Sequence, residues 1–179
     1  MKTLDTHFDI KSLEAEGTFE GYASVFNVLD GDQDRVAPGA FMEAMRKAQE
    51  QNRWPKLLWQ HDPKAPIGQW LSMKEDDHGL YVKGRLFLEV QRAREAYVLL
   101  KNHALDGLSI GYTPLKIKRE GTARCLKSVQ LHEISLVTFP ANARARVQQV
   151  KSSPQTTEEL WALNREIQNT TKMLKGVGC

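Results

Sequence analysis

Alternating apolar and polar positions predict seven or eight short strands in this chain, and recurrence at three- and four-residue spacing predicts two helices among them. Residues 7–15 and 18–26 read as a strand pair around Glu16-Gly17. Residues 27–39, rich in Asp, Gly and Pro, read as a loop. Phe41, Ala44, Met45 and Ala48 give one buried face to a helix over about 39–51, and Pro55 follows its end. Residues 56–60 form a short buried strand that delivers His61 and Asp62 just ahead of Pro63. Residues 67–74 and 79–87 pair across the polar turn between them. The second helix covers about 89–103, with Val90, Ala93, Ala96 or Tyr97, and Leu100 as its stripe. A strand from Gly107 runs toward Lys118, turns at Glu120-Gly121, and returns over 123–139 until Pro140 stops it.

The pattern changes near residue 150. Lys151-Ser152-Ser153-Pro154 has the composition of a linker, and Thr156 with Glu159 has capping-box spacing. Leu160, Leu163, Ile167 and Leu174 continue as a helical stripe. The expected organisation is one domain over 1–150 and a linker with a helical tail over 151–179. That tail suits docking on a partner or on the domain itself.

Composition narrows the class. The chain has 179 residues, 41% hydrophobic and 26% charged, as a soluble globular domain does. No apolar run nears the roughly 20 residues of a membrane helix, and residues 1–9 lack the apolar core of a signal peptide. Cys125 and Cys179 form no metal or redox spacing, which fits a reducing cytoplasm. The net charge of +3 is mild and no aromatic-basic module accompanies it, so a nucleic-acid partner is not expected. Asp30, Asp32 and Asp34 imitate a calcium loop, but Arg35 and Phe41 stand where that loop needs Gly and Glu. No cofactor and no metal are expected.

Candidate chemistry begins at Gly107-Leu108-Ser109-Ile110-Gly111-Tyr112. As a strand, it places Ser109 on a face with Gly107 and Gly111, leaving the hydroxyl bare on both sides for an approaching peptide. A serine needs a base to become a nucleophile, and histidine suits neutral pH. His7 lies in the first strand, while His78 and His103 read as exposed; His61 leaves a buried strand beside Leu57, Leu58 and Trp59. A third group must orient that base. Glu133 and His132 are both candidates, on opposite faces of the 123–139 strand. Glu133 is favoured, because a glutamate among apolar neighbours needs a partner such as the His61 ring.

Five segments then coincide in order: Gly21-Tyr22-Ala23-Ser24-Val25-Phe26; Val36-Ala37-Pro38-Gly39-Ala40-Phe41; Trp59-Gln60-His61-Asp62 with Pro66-Ile67-Gly68; the Ser109 strand; and Leu131-His132-Glu133-Ile134-Ser135-Leu136-Val137. Across about residues 7–147 they resemble the HK97-type prohead (procapsid maturation) serine protease family of tailed bacteriophages, related to herpesvirus assemblin. The resemblance implies an α+β fold, a mostly antiparallel β-barrel-like core flanked by helices. It implies a serine endopeptidase that cuts the scaffolding segment from the major capsid protein, and cuts itself, inside the prohead in the bacterial cytoplasm. Ser109 then matches the nucleophile and His61 the base, with the third member in the His132-Glu133 segment. Partners would be the capsid protein, its scaffold and a second copy, with no nucleic acid or membrane.

Two other readings compete. A structural assembly module of the phage particle would leave His61, Ser109 and Glu133 scattered. A metal hydrolase built from His61, Asp62, His132 and Glu133 has suitable ligand types but no supporting spacing. The loop 142–146 is a candidate for oxyanion donors, although its charges also suit a basic surface turn.

Overall fold

A computed structural model describes residues 16–151 and 165. The expected strand over 7–15, His7, and the linker and tail helix beyond Lys151 lie outside the described residues.

The elements in chain order are β1 (Thr18–Val25), β2 (Asp34–Val36), α1 (Met42–Glu50), β3 (Lys56–Trp59), β4 (Asp62–Glu75), β5 (Gly79–Leu86), α2 (Gln91–Lys101), β6 (Gly107–Glu120), β7 (Ala123–Val137) and β8 (Val147–Val150). The strands form one eight-stranded mixed sheet, ordered β2-β7-β3-β4-β5-β1-β8, with β6 along the other side of β7. β2 and β3 both run parallel to β7, one opposite Arg124–Leu126 and the other opposite Glu133–Leu136. The other pairings are antiparallel.

The sheet curls until its ends meet. Gly107 of β6 bridges Arg146 just before β8, the Leu108 N–H donates to the Ala145 carbonyl at 3.0 Å, and the Tyr22 N–H donates to the Arg146 carbonyl at 3.1 Å. Gly21 permits this approach: a Cβ there would stand 2.2 Å from the Arg146 carbonyl oxygen. Phe19, Leu57, Ile67, Leu80, Val82, Leu86, Leu108, Leu126, Ile134 and Leu136 fill the core almost without exposure. Burying a side chain of this size contributes about 1.5–3 kcal/mol. Phe41 and Ala48 seat α1 on that core, and Ala93, Ala96, Tyr97 and Leu100 seat α2. The α+β, barrel-like expectation agrees with this architecture.

Four details differ from the sequence reading. The 27–39 stretch contains β2, because Asp34-Arg35-Val36 finds an open edge on β7; three residues carry too little alternation to reveal it. β4 starts at Asp62, not near 67, and so takes in Pro63 and Pro66. Register shifts on β3 beside Pro66 absorb the ladder donors those prolines lack. β8 has no counterpart in that reading: Val147 and Val150 are only half-buried, and the strand finds its ladder on β1. Val90, expected on the α2 stripe, caps that helix and is 40% exposed.

Candidate active site

His61 stands where β3 turns into β4. Trp59 pairs directly with Asp62, so Gln60 and His61 are the two central residues of a hairpin turn. Both have left-handed backbones, φ 50° and 60°, as a turn matched to strand twist requires. Neither residue is a glycine, so the neighbours must hold the turn in place. Gln60 does this from one side: its N–H donates to the Leu136 carbonyl at 2.9 Å, and its side-chain amide donates to Thr138 Oγ1 at 2.9 Å.

The turn carries the imidazole to β7. His61 Nδ1–H donates to Glu133 Oε1 at 2.7 Å, since an ionised carboxylate offers only acceptors. That leaves Nε2 as the ring's acceptor. The Glu133 side chain is 12% exposed and the His61 side chain 44%. The bond to Glu133 raises the His61 pKa above its ordinary value; burial opposes this, and the charge of Glu133 adds to it. The other Glu133 oxygen accepts the Ser135 hydroxyl at 2.6 Å, and Ser135 Oγ in turn accepts the His61 N–H at 3.1 Å.

Ser109 lies on β6 opposite Ser135, and Gly111 lies opposite Glu133. The space beside Ser109 is not bare, as its flanking glycines suggested. A Cβ on Gly111 would stand 2.2 Å from Glu133 Oε1, so the missing side chain makes room for the carboxylate. At Gly107 the corresponding space meets the Val137 carbonyl oxygen and the Pro140 ring. Ser109 itself is 8% exposed. It reaches a cavity of about 330 Å³ that His61 also lines, together with Ala23, Val28, Val36, Ile110 and Tyr112. Asp30 and Asp32 line it as well, and Phe139, almost fully exposed, stands at its rim. No hydrogen bond joins Ser109 to His61 among the described residues; the two line the same cavity. Such bonds commonly tighten only when substrate is bound.

Of the other sequence candidates, His132 is turned to Thr113, with Nε2 2.8 Å from Oγ1. It falls at a shift in the β6–β7 register, between the Glu133 and Leu131 pairs, and is exposed. His78 packs edge-on against Tyr22 in the β4–β5 turn, and His103 is exposed after α2. Asp62 Oδ1 accepts the Lys64 N–H, so the four residues of the metal reading do not converge. Among the described residues no group of three His, Cys, Asp or Glu side chains is placed to hold a metal ion. The 142–146 loop touches the cavity through Asn142. Its Arg144 N–H donates to Asn142 Oδ1, and its Arg146 side chain pairs with Asp106, so two of its groups are already engaged. Sequence reasoning missed Ser135; its place two residues beyond Glu133 on one strand face was the available signal.

A curled mixed sheet with two helices, presenting a serine and a carboxylate-bound histidine to one cavity, is the frame into which comparison with known proteins fits. Residues 6–159 match the model of the caudovirus prohead serine proteases, and the chain belongs to that family. It is 38% identical to the prohead protease of Enterobacteria phage HK97 over 141 residues, which are 76% of this chain and 61% of that one. It is 25% identical to the prohead protease of Escherichia phage T5, over 85% of this chain and 75% of that relative. It also matches a capsid polyprotein of Pseudomonas phage PAJU2 at 29% identity, over 70% of this chain and 20% of the polyprotein. The chain thus spans about six-tenths of the HK97 relative and a fifth of the polyprotein.

Two solved structures share the fold. One is the capsid assembly protease of bacteriophage T4, with TM-score 0.53 and 10% identity over 67% of this chain and 82% of that one. The other is the KSHV protease in complex with a hexapeptide phosphonate inhibitor, with TM-score 0.51 and 14% identity over 85% of this chain and 76% of that one.

Proposed function

We propose that this chain is a serine endopeptidase of prohead maturation, with Ser109 as nucleophile, His61 as general base and Glu133 as the group that orients and stabilises the base. The observation that carries this reading is the His61–Glu133 hydrogen bond at the edge of a cavity that Ser109 shares. As Ser109 Oγ attacks a peptide carbonyl, His61 Nε2 takes its proton. Glu133 holds Nδ1–H throughout and stabilises the imidazolium. Collapse of the tetrahedral adduct breaks the C–N bond, and the departing amine takes the proton from Nε2. Water, deprotonated by the same nitrogen, then attacks the acyl carbon, and as the C–O bond to Ser109 breaks, Nε2 returns that proton to Oγ.

The substrates of this reading are the major capsid protein with its scaffolding segment, and the protease itself, inside the prohead. Family membership supports it, as does the relative named a capsid polyprotein. The test is co-expression with the capsid precursor. Ser109→Ala should abolish processing, a loss of at least ~10³-fold, while the precursor still accumulates. Processing that continues at the wild-type rate removes Ser109 from the reaction.

A further inference from the structure

We propose that Ser135 is a positioning residue that ties the Glu133 carboxylate to the backbone of the His61 turn, so that the base and its orienting acid move as one unit. This rests on the catalytic reading of His61 and Glu133 given above. Ser135 is fully buried and sits between two strands of the site, opposite Ser109 on β6 and opposite Leu58 on β3. Its hydroxyl is used in both directions: it donates to Glu133 Oε2 and accepts from the His61 N–H. An alanine would strip a donor from a largely buried carboxylate and leave the N–H of a left-handed turn residue without its acceptor. Both orphaned groups belong to the base and the acid, so the damage falls on their geometry.

The chemistry of the pair shifts as well. The Glu133 bond is what raises the His61 pKa, so the shift depends on the carboxylate staying in place. Without the Ser135 tie that bond loosens, and the His61 titration moves down in pH toward its ordinary value. The groups facing His61 are few. Glu133 comes from β7, Asp30 and Asp32 lie across the cavity in the loop before β2, and Tyr112 is the titratable residue of β6 that lines it. On its own hairpin, Asp62 follows it, and Arg92 of α2 lies over the Trp59 ring. Of these, Glu133 is the one hydrogen-bonded to Ser135.

The experiment titrates the His61 ring nitrogens by NMR in the full-length chain, alongside rates of capsid-precursor processing. Ser135→Ala should lower the His61 titration midpoint by about half a pH unit or more. It should slow processing ~10-fold with KM within about two-fold, and Ser135→Thr, which keeps the hydroxyl, should restore both. If Ser135→Ala does not fold, Ser135→Cys, with its weak donor, replaces it under the same criteria. An unchanged midpoint overturns the proposal, even when activity or thermal stability falls. The titration needs no substrate, so its outcome is separable from that of Ser109→Ala, which tests the catalytic reading alone.

Discussion

Each half of β7 meets a shielded carboxylate, and the two differ in the company they keep. Near its start, Asp34 of β2 is wholly buried and accepts Arg124 Nε at 2.5 Å, Arg124 Nη2 at 2.6 Å and the Tyr112 hydroxyl. Near its end, Glu133 accepts a histidine and a serine. Arg124 keeps its charge at any accessible pH, and the Asp34 carboxylate pushes it further that way. Burial, with Asp34 beside it, drives the Tyr112 phenol far above its ordinary pKa. That network is therefore static, and it fastens β2 and β6 to β7. Glu133 is paired instead with a titratable ring, whose pKa it raises, that stays open to the cavity. A shielded carboxylate is not by itself a reaction centre; its partner decides.

Paired substitutions put this contrast at risk. Glu133→Gln should lower kcat for precursor processing by about 10³–10⁴-fold with little change in the urea midpoint. Asp34→Asn should do the reverse, losing about 2–3 kcal/mol by urea titration, at the low end for a broken pair because Arg124 is 42% exposed. Its activity per folded molecule should stay near wild type. If Asp34→Asn silences the enzyme without destabilising it, the distinction between the networks fails.

A subtler test moves the acid without removing it. Gly111→Ala puts a methyl where Glu133 Oε1 now sits, and the carboxylate, at the end of a flexible chain, must swing off His61. Processing should fall ~10–100-fold, and Glu133→Gln in the same background should cost less than it does alone by about that factor. Full additivity of the two would show that Gly111 acts elsewhere.

The smallest effect is in pH. Because the His61 pKa is raised in the folded chain, the stability its pair contributes is complete below about pH 6.5 and fades as pH climbs through the raised value. Activity needs the neutral ring, so it should rise over that same window. Processing rates and urea midpoints measured between pH 5.5 and 8.5, in steps of about 0.5, should therefore trend in opposite directions; parallel trends would mean the His61 pair does not govern the profile.

Much of this was readable in one dimension. Alternation located the strands that carry Ser109 and Glu133, and apolar Leu57 and Leu58 marked the short strand before His61. Strand parity put Glu133 and His132 on opposite faces, because successive side chains point opposite ways whatever the fold. Other features leave no local trace. β2 and β8 exist only because β7 and β1 have edges to offer them, and residues 34–36 and 147–150 carry no period of their own.

The neighbourhood of Ser109 needed the third dimension too. Its glycines were visible, but Gly111 is small to admit Glu133 from the facing strand, a reason that pairing register alone supplies. Local sequence thus set which residues lie on which face, since backbone geometry imposes that within a few residues. Long-range pairing decided which faces meet. β3 lying parallel to the end of β7 is what brings His61 within hydrogen-bond reach of Glu133 and Ser135, more than seventy positions along the chain.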